Sequence, residues 1–491
     1  MLFNSLAFLI FFPAVAGIYF LIPHRWRIVL LLLASCYFYM AFVPKYILIL
    51  GFLITLDYFL VRFMDRQQGK YRKFLLFASL TANIGVLFIF KYFNFFNANI
   101  ALLADFLHWN YSLTLLRIAL PLGLSFHIFQ SLSYVIEVYK GKYEPEKNYL
   151  NYAIYVMFFP QLVAGPIERP HNLLPQFRLR HDFDGRKVSH GLERMLWGFF
   201  KKVVIADWLS VMVDMAYNAP QEHVGPFLVI ATIFFAFQIY CDFSGYTDIA
   251  LGAAEVLGFR LMENFNRPYA ARSIADFWKR WHISLSSWFR DYVYIPLGGN
   301  RVPRLRRYLN LLIVFVLSGL WHGANWTFVI WGALHGLYLI MEILIKPFKE
   351  RFLATSRLVR LPRLVGFLEM LLTFVLVNIA WIFFRANSVA DAFYIITNLG
   401  KGMFQIANLN YLRYELFTNK TIGLSKSALV GVIIAVIFME TVQYYQAKKG
   451  SFYLFETNAT RWLRFCWYYA LILSILFFGH LGGGTFIYFQ F

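Results

Sequence analysis

Ionisable residues inside apolar stretches are the first to weigh, because they are expensive there and persist for pairing or for chemistry. His322 lies in VFVLSGLWHGANWTFVIWGALHG, with Trp321 and Trp326 near it and Ser318, Gly319, Gly323 and Ala324 around it. Small residues let a helix or a narrow ligand come close, and the indoles can wall off water. A neutral imidazole there suits a general base that takes a proton from a hydroxyl. It also suits a satisfied core histidine. His335 follows 13 residues later. In an unbroken helix that is about 19.5 Å of rise and roughly 220° of rotation, too far for one ligand to join the two rings. His282, in RWHISLSSWFRD, and His127, in PLGLSFHIFQSLSYVIEVY, each have polar neighbours. Local or interhelical hydrogen bonding accounts for either, and both remain candidates for the site.

Asp242 and Asp248 stand six residues apart in FQIYCDFSGYTDIALG, on different faces of a regular helix. A break at Gly245, beside Ser244, would bring them together to line a substrate or proton path. The alternative is that they pair with neighbouring helices or with basic residues of 267–290. If a hydroxyl attacks an ester or thioester carbonyl, the oxyanion needs donors. Backbone N–H groups near Gly319–Gly323, Trp321 Nε1 and Asn325 are available. The sequence has no Gly-x-Ser-x-Gly elbow, no glycine-rich phosphate loop, no His-x-x-His or His-Glu-x-x-His and no cysteine cluster. A serine nucleophile and a metal site therefore have little support. The chain closes on LGGGTFIYFQF. That segment is either an interfacial anchor or a tail entering a cavity, where Tyr488 would accept or orient an acyl group with help from a base.

The elements that must position these residues are membrane helices. The 491 residues are 60% hydrophobic and only 15% charged, against about 25% charged in an ordinary soluble domain. That excludes a disulfide-stapled secreted domain, a soluble nucleotide-binding sheet and a disordered chain. The run 1–22 reads as a retained span, followed by runs at 28–44, 46–62 and 74–91. With the basic loops placed in the cytoplasm, the N-terminus falls outside. Later runs lie near 114–138, 149–165, 190–217, 225–258, 309–345, 364–390, 426–445 and 463–480. Those at 225–258 and 309–345 exceed one simple span, so each is tilted, broken or double. The fold class predicted is an all-α polytopic membrane protein of about 11–13 segments, some broken or re-entrant, around a central tunnel. It is expected to form one domain over 1–491. Within it fall N-terminal spans 1–113, a core 114–345, C-terminal spans 346–480 and the tail 481–491.

The formal charge is +20. The basic residues cluster in short loops, which points to anionic lipid and not to nucleic acid. Residues 267–309 hold Arg267, Arg272, Lys279, Arg280, Arg290, Arg301, Arg304, Arg306 and Arg307, interleaved with Trp278, Trp281, Trp288, Phe289, Tyr292 and Tyr294. This stretch is predicted to form amphipathic interfacial helices. They either anchor to lipid or hold an anionic donor, and the two readings are compatible.

FFPQLVAGPIERP (158–170), FQIYCDFSGYTDIALG (237–252), ENFNRPYAARSIADFWKRWHISLSSWFRDYVYIPLGG (263–299) and FVLSGLWHGANWTFVIWGALHG (315–336) together resemble the membrane-bound O-acyltransferase family. The likeness is to the bacterial branch that contains alginate and peptidoglycan O-acetyltransferases and the teichoic acid D-alanylation membrane protein. It implies a ring of spans around a tunnel, with His322 as the catalytic histidine and His282 as the branch's second polar position. It implies no bound cofactor and a cytoplasmic acyl thioester donor, acetyl-CoA in the acetylating members, with Arg280, Arg304, Arg306 and Arg307 suited to its phosphates. The acyl group would pass outward, with Tyr488 as a relay, to an extracytoplasmic SGNH-like acyltransferase or carrier that esterifies a polysaccharide such as alginate. His127, Asp242, Ser244, Asp248, Trp321 and Asn325 would line the path. D-alanyl or peptidoglycan acyl transfer is the main alternative, and a transporter the more remote one.

Overall fold

The computed structural model describes all residues except 117, 119, 163, 164, 224, 405–422, 454–460, 481–485 and 488–491. Every regular element among the described residues is helical. In a bilayer the backbone must satisfy its own polar groups, and an apolar helix does so without a partner. In chain order the helices are α1 (Leu6–Leu21), α2 (His24–Met40), α3 (Ile47–Asp65), α4 (Gly69–Leu87), α5 (Phe93–Phe106), α6 (Leu124–Tyr139), α7 (Tyr149–Met157), α8 (Phe159–Leu162), α9 (Pro170–Arg178), α10 (Gly185–Phe199), α11 (Asp207–Asn218) and α12 (Pro226–Val256). Then come α13 (Ile274–Arg280), α14 (Ile283–Phe289), α15 (Arg304–His322), α16 (Trp326–Thr355), α17 (Pro362–Arg385), α18 (Val389–Asn398), α19 (Lys426–Lys449) and α20 (Arg461–Phe478).

Six helical segments among the described residues are long and apolar enough to cross a membrane: Pro44–Asp65, Gly69–Phe106, Pro226–Val256, Trp326–Thr355, Pro362–Arg385 and Lys426–Lys449. Leu6–Leu21 and Trp462–Phe478 are apolar but shorter. That is fewer than the apolar runs suggest, because several runs are not single long helices. The run 114–138 becomes helical only at Leu124, and 149–165 is divided at Phe158. The run 190–217 carries a π-helical stretch, Phe200–Ala206, between α10 and α11.

The chain divides into two compact units, Met1–Met195 with Thr247–Met262, and Leu196–Tyr246 with Glu263–Phe491. In the first, a buried carboxylate joins three helices. Asp57 of α3 accepts from Ser79 Oγ at 2.6 Å and Asn83 Nδ2 at 2.9 Å, both on α4, and from Ser131 Oγ on α6. Donors from these three side chains explain how this acid sits in an apolar interior, where an unmet one would be costly.

In the second unit the run 309–345 is a helical hairpin. α15 ends at His322, Gly323 turns extended, and Asn325 caps α16 by accepting from Thr327 N at 3.0 Å. The two helices touch backbone to backbone. A Cβ on Gly332 would lie 2.2 Å from the Phe315 carbonyl oxygen, and one on Gly319 would lie 2.2 Å from the Phe328 carbonyl oxygen. A Cβ on Gly323 would lie 2.1 Å from the Phe328 ring. By contrast, α12 runs unbroken through Gly245. There a Cβ would lie 2.9 Å from Gly198 O, so this glycine serves close packing and does not break the helix. We expect Gly332→Ala to force the hairpin apart and to destabilise the protein by about 1–3 kcal/mol, the usual range for overpacking. A lowered midpoint of thermal unfolding in detergent measures it, with Gly431→Ala, where a Cβ meets nothing within 4 Å, as the neutral control.

Candidate active site

Neutral rings gather around the end of α15. His322 is 4% exposed. Its ring packs edge-on to Trp321 at 4.8 Å, Trp331 at 5.0 Å and Phe384 at 5.2 Å. The hairpin brings His335 onto the same indole, with its ring 5.0 Å from Trp331, and His335 Nδ1 receives Trp278 Nε1 at 3.3 Å. The two histidines thus share Trp331. The reading that a helical spacing keeps them apart fails because the chain reverses at Gly323.

His282 enters the same unit from a different part of the chain. It is fully buried and adopts left-handed backbone (φ 45°) as the N-cap of α14. For a residue other than glycine that conformation is uncommon, and it persists where the surroundings hold it. Asn264 does the holding. Its Oδ1 accepts from Ser284 N at 3.2 Å and Ser284 Oγ at 2.9 Å, and it lies 3.1 Å from His282 Nδ1. The backbone amide can only donate, so that atom is the oxygen, and His282 Nδ1 must carry the proton. Nε2 is then the basic nitrogen. Burial pushes the imidazole down to about 3, so it is neutral at physiological pH. Trp321 stands between the two candidates, 6.1 Å from the His282 ring and 4.8 Å from His322. Three members of the predicted set, His282, Trp321 and His322, therefore meet.

A cavity of about 480 Å³ lies in this unit, walled by α13, α14, α15 and α16. Trp278, Leu285, Phe289, Val314 and Phe315 make it apolar, and Ser286, Ser287 and Ser318 give it hydroxyls. Lys279, Arg290 and Arg307 line it opposite a single acid, Glu342, whose carboxylate accepts from Ala275 N at 3.1 Å. On α15 the lining residues Arg307, Leu311, Val314 and Ser318 recur every three or four positions, and His322 follows one turn after Ser318. Such spacing puts them on one helix face. From Arg307 to Ser318 is about 16 Å along the axis.

The other predicted residues are distributed differently. Of the basic four, only Arg307 lines the cavity. Arg304 and Arg306 are exposed, and Arg280 pairs with Asp276 at 2.8 Å. Lys279 and Arg290, named among the nine basic residues of 267–309 but not among those four, also line the cavity, Arg290 while paired with Asp291 at 2.8 Å. The aromatic residues between them turn inward, with Trp278, Trp281, Trp288 and Phe289 buried. Asn325 is exposed and is occupied as a helix cap.

The acids of α12 do not come together at Gly245. In the second unit Lys202 Nζ lies 2.7 Å from both Asp242 and Asp207, and Lys201 Nζ donates to Ser244 Oγ at 2.9 Å. In the first unit Asp248 pairs with Arg194 at 3.0 Å, and His127 Nδ1 lies 3.1 Å from Val156 O. The partners come from 190–217 and not from 267–290. Cations at 201 and 202 inside an apolar run were the available signal. Tyr488 lies outside the described residues. No three His, Cys, Asp or Glu side chains gather as a metal-ligand set among the described residues.

Buried histidines that each contact Trp321, with an apolar cavity lined by three cations, suit transfer of an acyl group to a hydroxyl. The family model of the membrane-bound O-acyltransferases matches residues 146–385, which include α12 to α17. The chain is 38% identical to a probable alginate O-acetylase of Pseudomonas aeruginosa over 453 residues, 91% of this chain and 82% of that one. It is 32% identical to a peptidoglycan O-acetyltransferase of Helicobacter pylori over 509 aligned positions, covering 96% and 92%. A teichoic acid D-alanyltransferase of Bacillus subtilis is 28% identical over 231 residues, 44% of this chain and 58% of that one. The chain belongs to the membrane-bound O-acyltransferase family. It is an acyltransferase, a multi-pass protein of the bacterial inner membrane.

Removing Lys202 tests the buried charges. Lys202→Met leaves Asp207 and Asp242 without their shared cation. We expect a loss of about 3–5 kcal/mol, as for breaking a buried pair from one side. Lys349→Met breaks only the more exposed 2.7 Å pair with Glu369 and should change stability by about 1 kcal/mol or less. Unfolding of both variants in the same detergent gives the comparison.

Proposed function

We propose that this protein transfers an acetyl group from cytoplasmic acetyl-CoA for O-acetylation of an extracytoplasmic polysaccharide, alginate or a similar exopolymer. The observation that carries this reading is the apolar cavity with Lys279, Arg290 and Arg307 on its wall and, along α15 from Arg307, Ser318, one turn before His322. The three cations suit the phosphates of the donor. About 16 Å of apolar wall suits an extended pantetheine arm, which would bring the thioester toward His322. The printed names of the relatives, an alginate O-acetylase and a peptidoglycan O-acetyltransferase, support an O-linked acetyl group on a sugar polymer.

In the chemistry proposed, His322 takes the proton of an acceptor hydroxyl as its oxygen attacks the thioester carbonyl. A tetrahedral oxyanion forms and collapses by breaking the carbon–sulfur bond. The thiolate leaves and regains the proton from the imidazolium, so thioester and alcohol become ester and thiol. His282, with Nδ1–H committed to Asn264, offers Nε2 as the basic nitrogen that orients the hydroxyl. Trp321 between the rings keeps the reacting space dry. The first acceptor is either Tyr488 or a group on an extracytoplasmic acyltransferase that completes the transfer.

The test uses inverted membrane vesicles carrying the full chain, supplied with acetyl-CoA labelled in the acetyl group. Base-labile label is expected on the protein or on a supplied acceptor. His322→Ala should reduce it by about 10²–10⁴, the range for loss of a general base. Arg307→Glu should raise the donor KM severalfold, while Arg306→Glu, which is exposed and does not line the cavity, should leave it near native. Absence of label with every acceptor, alongside label from a D-alanyl carrier, would shift the reading to aminoacyl transfer.

A further inference from the structure

The chemistry proposed above leaves Asp242 without a task, and this carboxylate is where the C-terminal segment meets the second unit. Its Oδ2 accepts the Ile487 backbone N–H at 2.7 Å, a bond between residues 245 positions apart. Its Oδ1 is 2.7 Å from Lys202 Nζ, which lies 2.7 Å from Asp207 as well. Asp242, Lys202 and Asp207 are 3%, 1% and 2% exposed. The preceding tail residue, Phe486, is completely buried, with its ring 4.3 Å from Tyr246 and 5.8 Å from Phe243. Lys202 faces the same Tyr246 ring at 5.6 Å. Phe243, in turn, lies edge-on to His282 at 4.7 Å.

We infer that Asp242 is a positioning residue that fastens this chain's C-terminal segment beside His282, with Lys202 and Asp207 holding the carboxylate in place. The Ile487 amide is buried, and a buried N–H is costly unless an acceptor is supplied. A carboxylate is the stronger acceptor, because charge-assisted bonds are shorter and tighter than neutral ones. A carboxylate also needs a cation to enter an apolar interior, and Lys202 meets that need. The three-way arrangement thus explains why one acid of α12 pairs with a lysine that has a second acid beside it. It leaves an oxygen for the tail. Phe486 fills the aromatic side of the same place, so the segment is held by one polar and one apolar contact. Tyr488 is the next residue in the chain. The fastening stands on these contacts alone, and only its consequence for rate rests on the acyl-transfer reading.

Hydrogen–deuterium exchange of the full-length protein in detergent, followed in its C-terminal peptide, is the test. Asp242→Ala should make the Ile487 amide exchange at least about tenfold faster, the factor expected from losing a hydrogen bond to a charged acceptor. Asp242→Ala also disturbs the buried lysine, so Ile487→Pro is the cleaner variant. It removes the donated N–H, with part of the buried Ile487 side chain, and leaves Asp242, Lys202 and Asp207 in place. It should release the tail while α12 keeps its protection, and Ile487→Val, which retains the amide, should behave as native. In the vesicle assay Ile487→Pro should lower kcat about tenfold with the donor KM unchanged. Native-like exchange of Phe486 in both Asp242→Ala and Ile487→Pro would overturn the inference. A native chain with no acyl transfer would overturn the reading of function instead, and the exchange result alone would then decide the fastening.

Discussion

The second unit is organised by the contact of two bare backbones. Gly319 and Gly332 let α15 and α16 approach until any Cβ at either position would collide with a carbonyl of the other helix. Gly336, where a Cβ would lie 3.2 Å from Leu312 Cα, extends the same contact, and much follows from it. The approach lays His322, at the last turn of α15, against Trp331 of α16. His335 packs on the same indole. The approach also fixes the face of α15 that runs from Arg307 through Val314 to Ser318, which walls the cavity with α13 and α14. A lipid interior provides no hydrophobic force between helices, so association relies on such close packing.

A second constraint is the neutralisation of charge. The long helix α12 carries Asp242 and Asp248 through an apolar environment, and each acid has a basic partner in the stretch from α10 to α11. The π-helical stretch Phe200–Ala206 contains both Lys201 and Lys202. π-turns shift the phase of a helix by about one residue and often mark functional places. Lys201 bonds Ser244 while Lys202 bonds Asp242 and Asp207, so the two lysines serve neighbouring groups on one helix. The histidines take the opposite solution to burial. They pack among aromatic rings, with His282 held neutral by burial and so able to take up a proton.

Much of this was legible from the chain. Trp321–His322 among glycines, and the basic-aromatic stretch around His282, stood out because polar residues in apolar runs are rare. The pairing of His282 with Asn264 was not legible, because it depends on a left-handed backbone at His282 and on a residue 18 positions away. Arg307 was recognisable among its neighbours only through the face it shares with Val314, Ser318 and His322. Arg304 and Arg306 have the same charge but are exposed and do not line the cavity. Neighbouring helices were one of the two sources of partners that the sequence offered for the acids, but the lysines at 201 and 202 were not singled out as the cations.

Composition and apolar run lengths alone determined that this is a helical membrane protein, and the motifs determined its acyltransferase family. These are properties of local chemistry: a backbone in lipid must bond to itself, and a buried imidazole must be tolerated for a reason. Tertiary structure alone decided whether a long apolar run was one helix or two. Gly245 and Gly332 both sit inside such runs. The first is packed within a continuous α12 and the second against the facing helix of a hairpin, because the atoms that contact a glycine come from elsewhere in the chain. Tertiary structure also decided which histidines meet around Trp321, and that Asp242 receives an amide from residue 487. Contacts between residues so far apart in sequence are set by packing, and no local pattern encodes them.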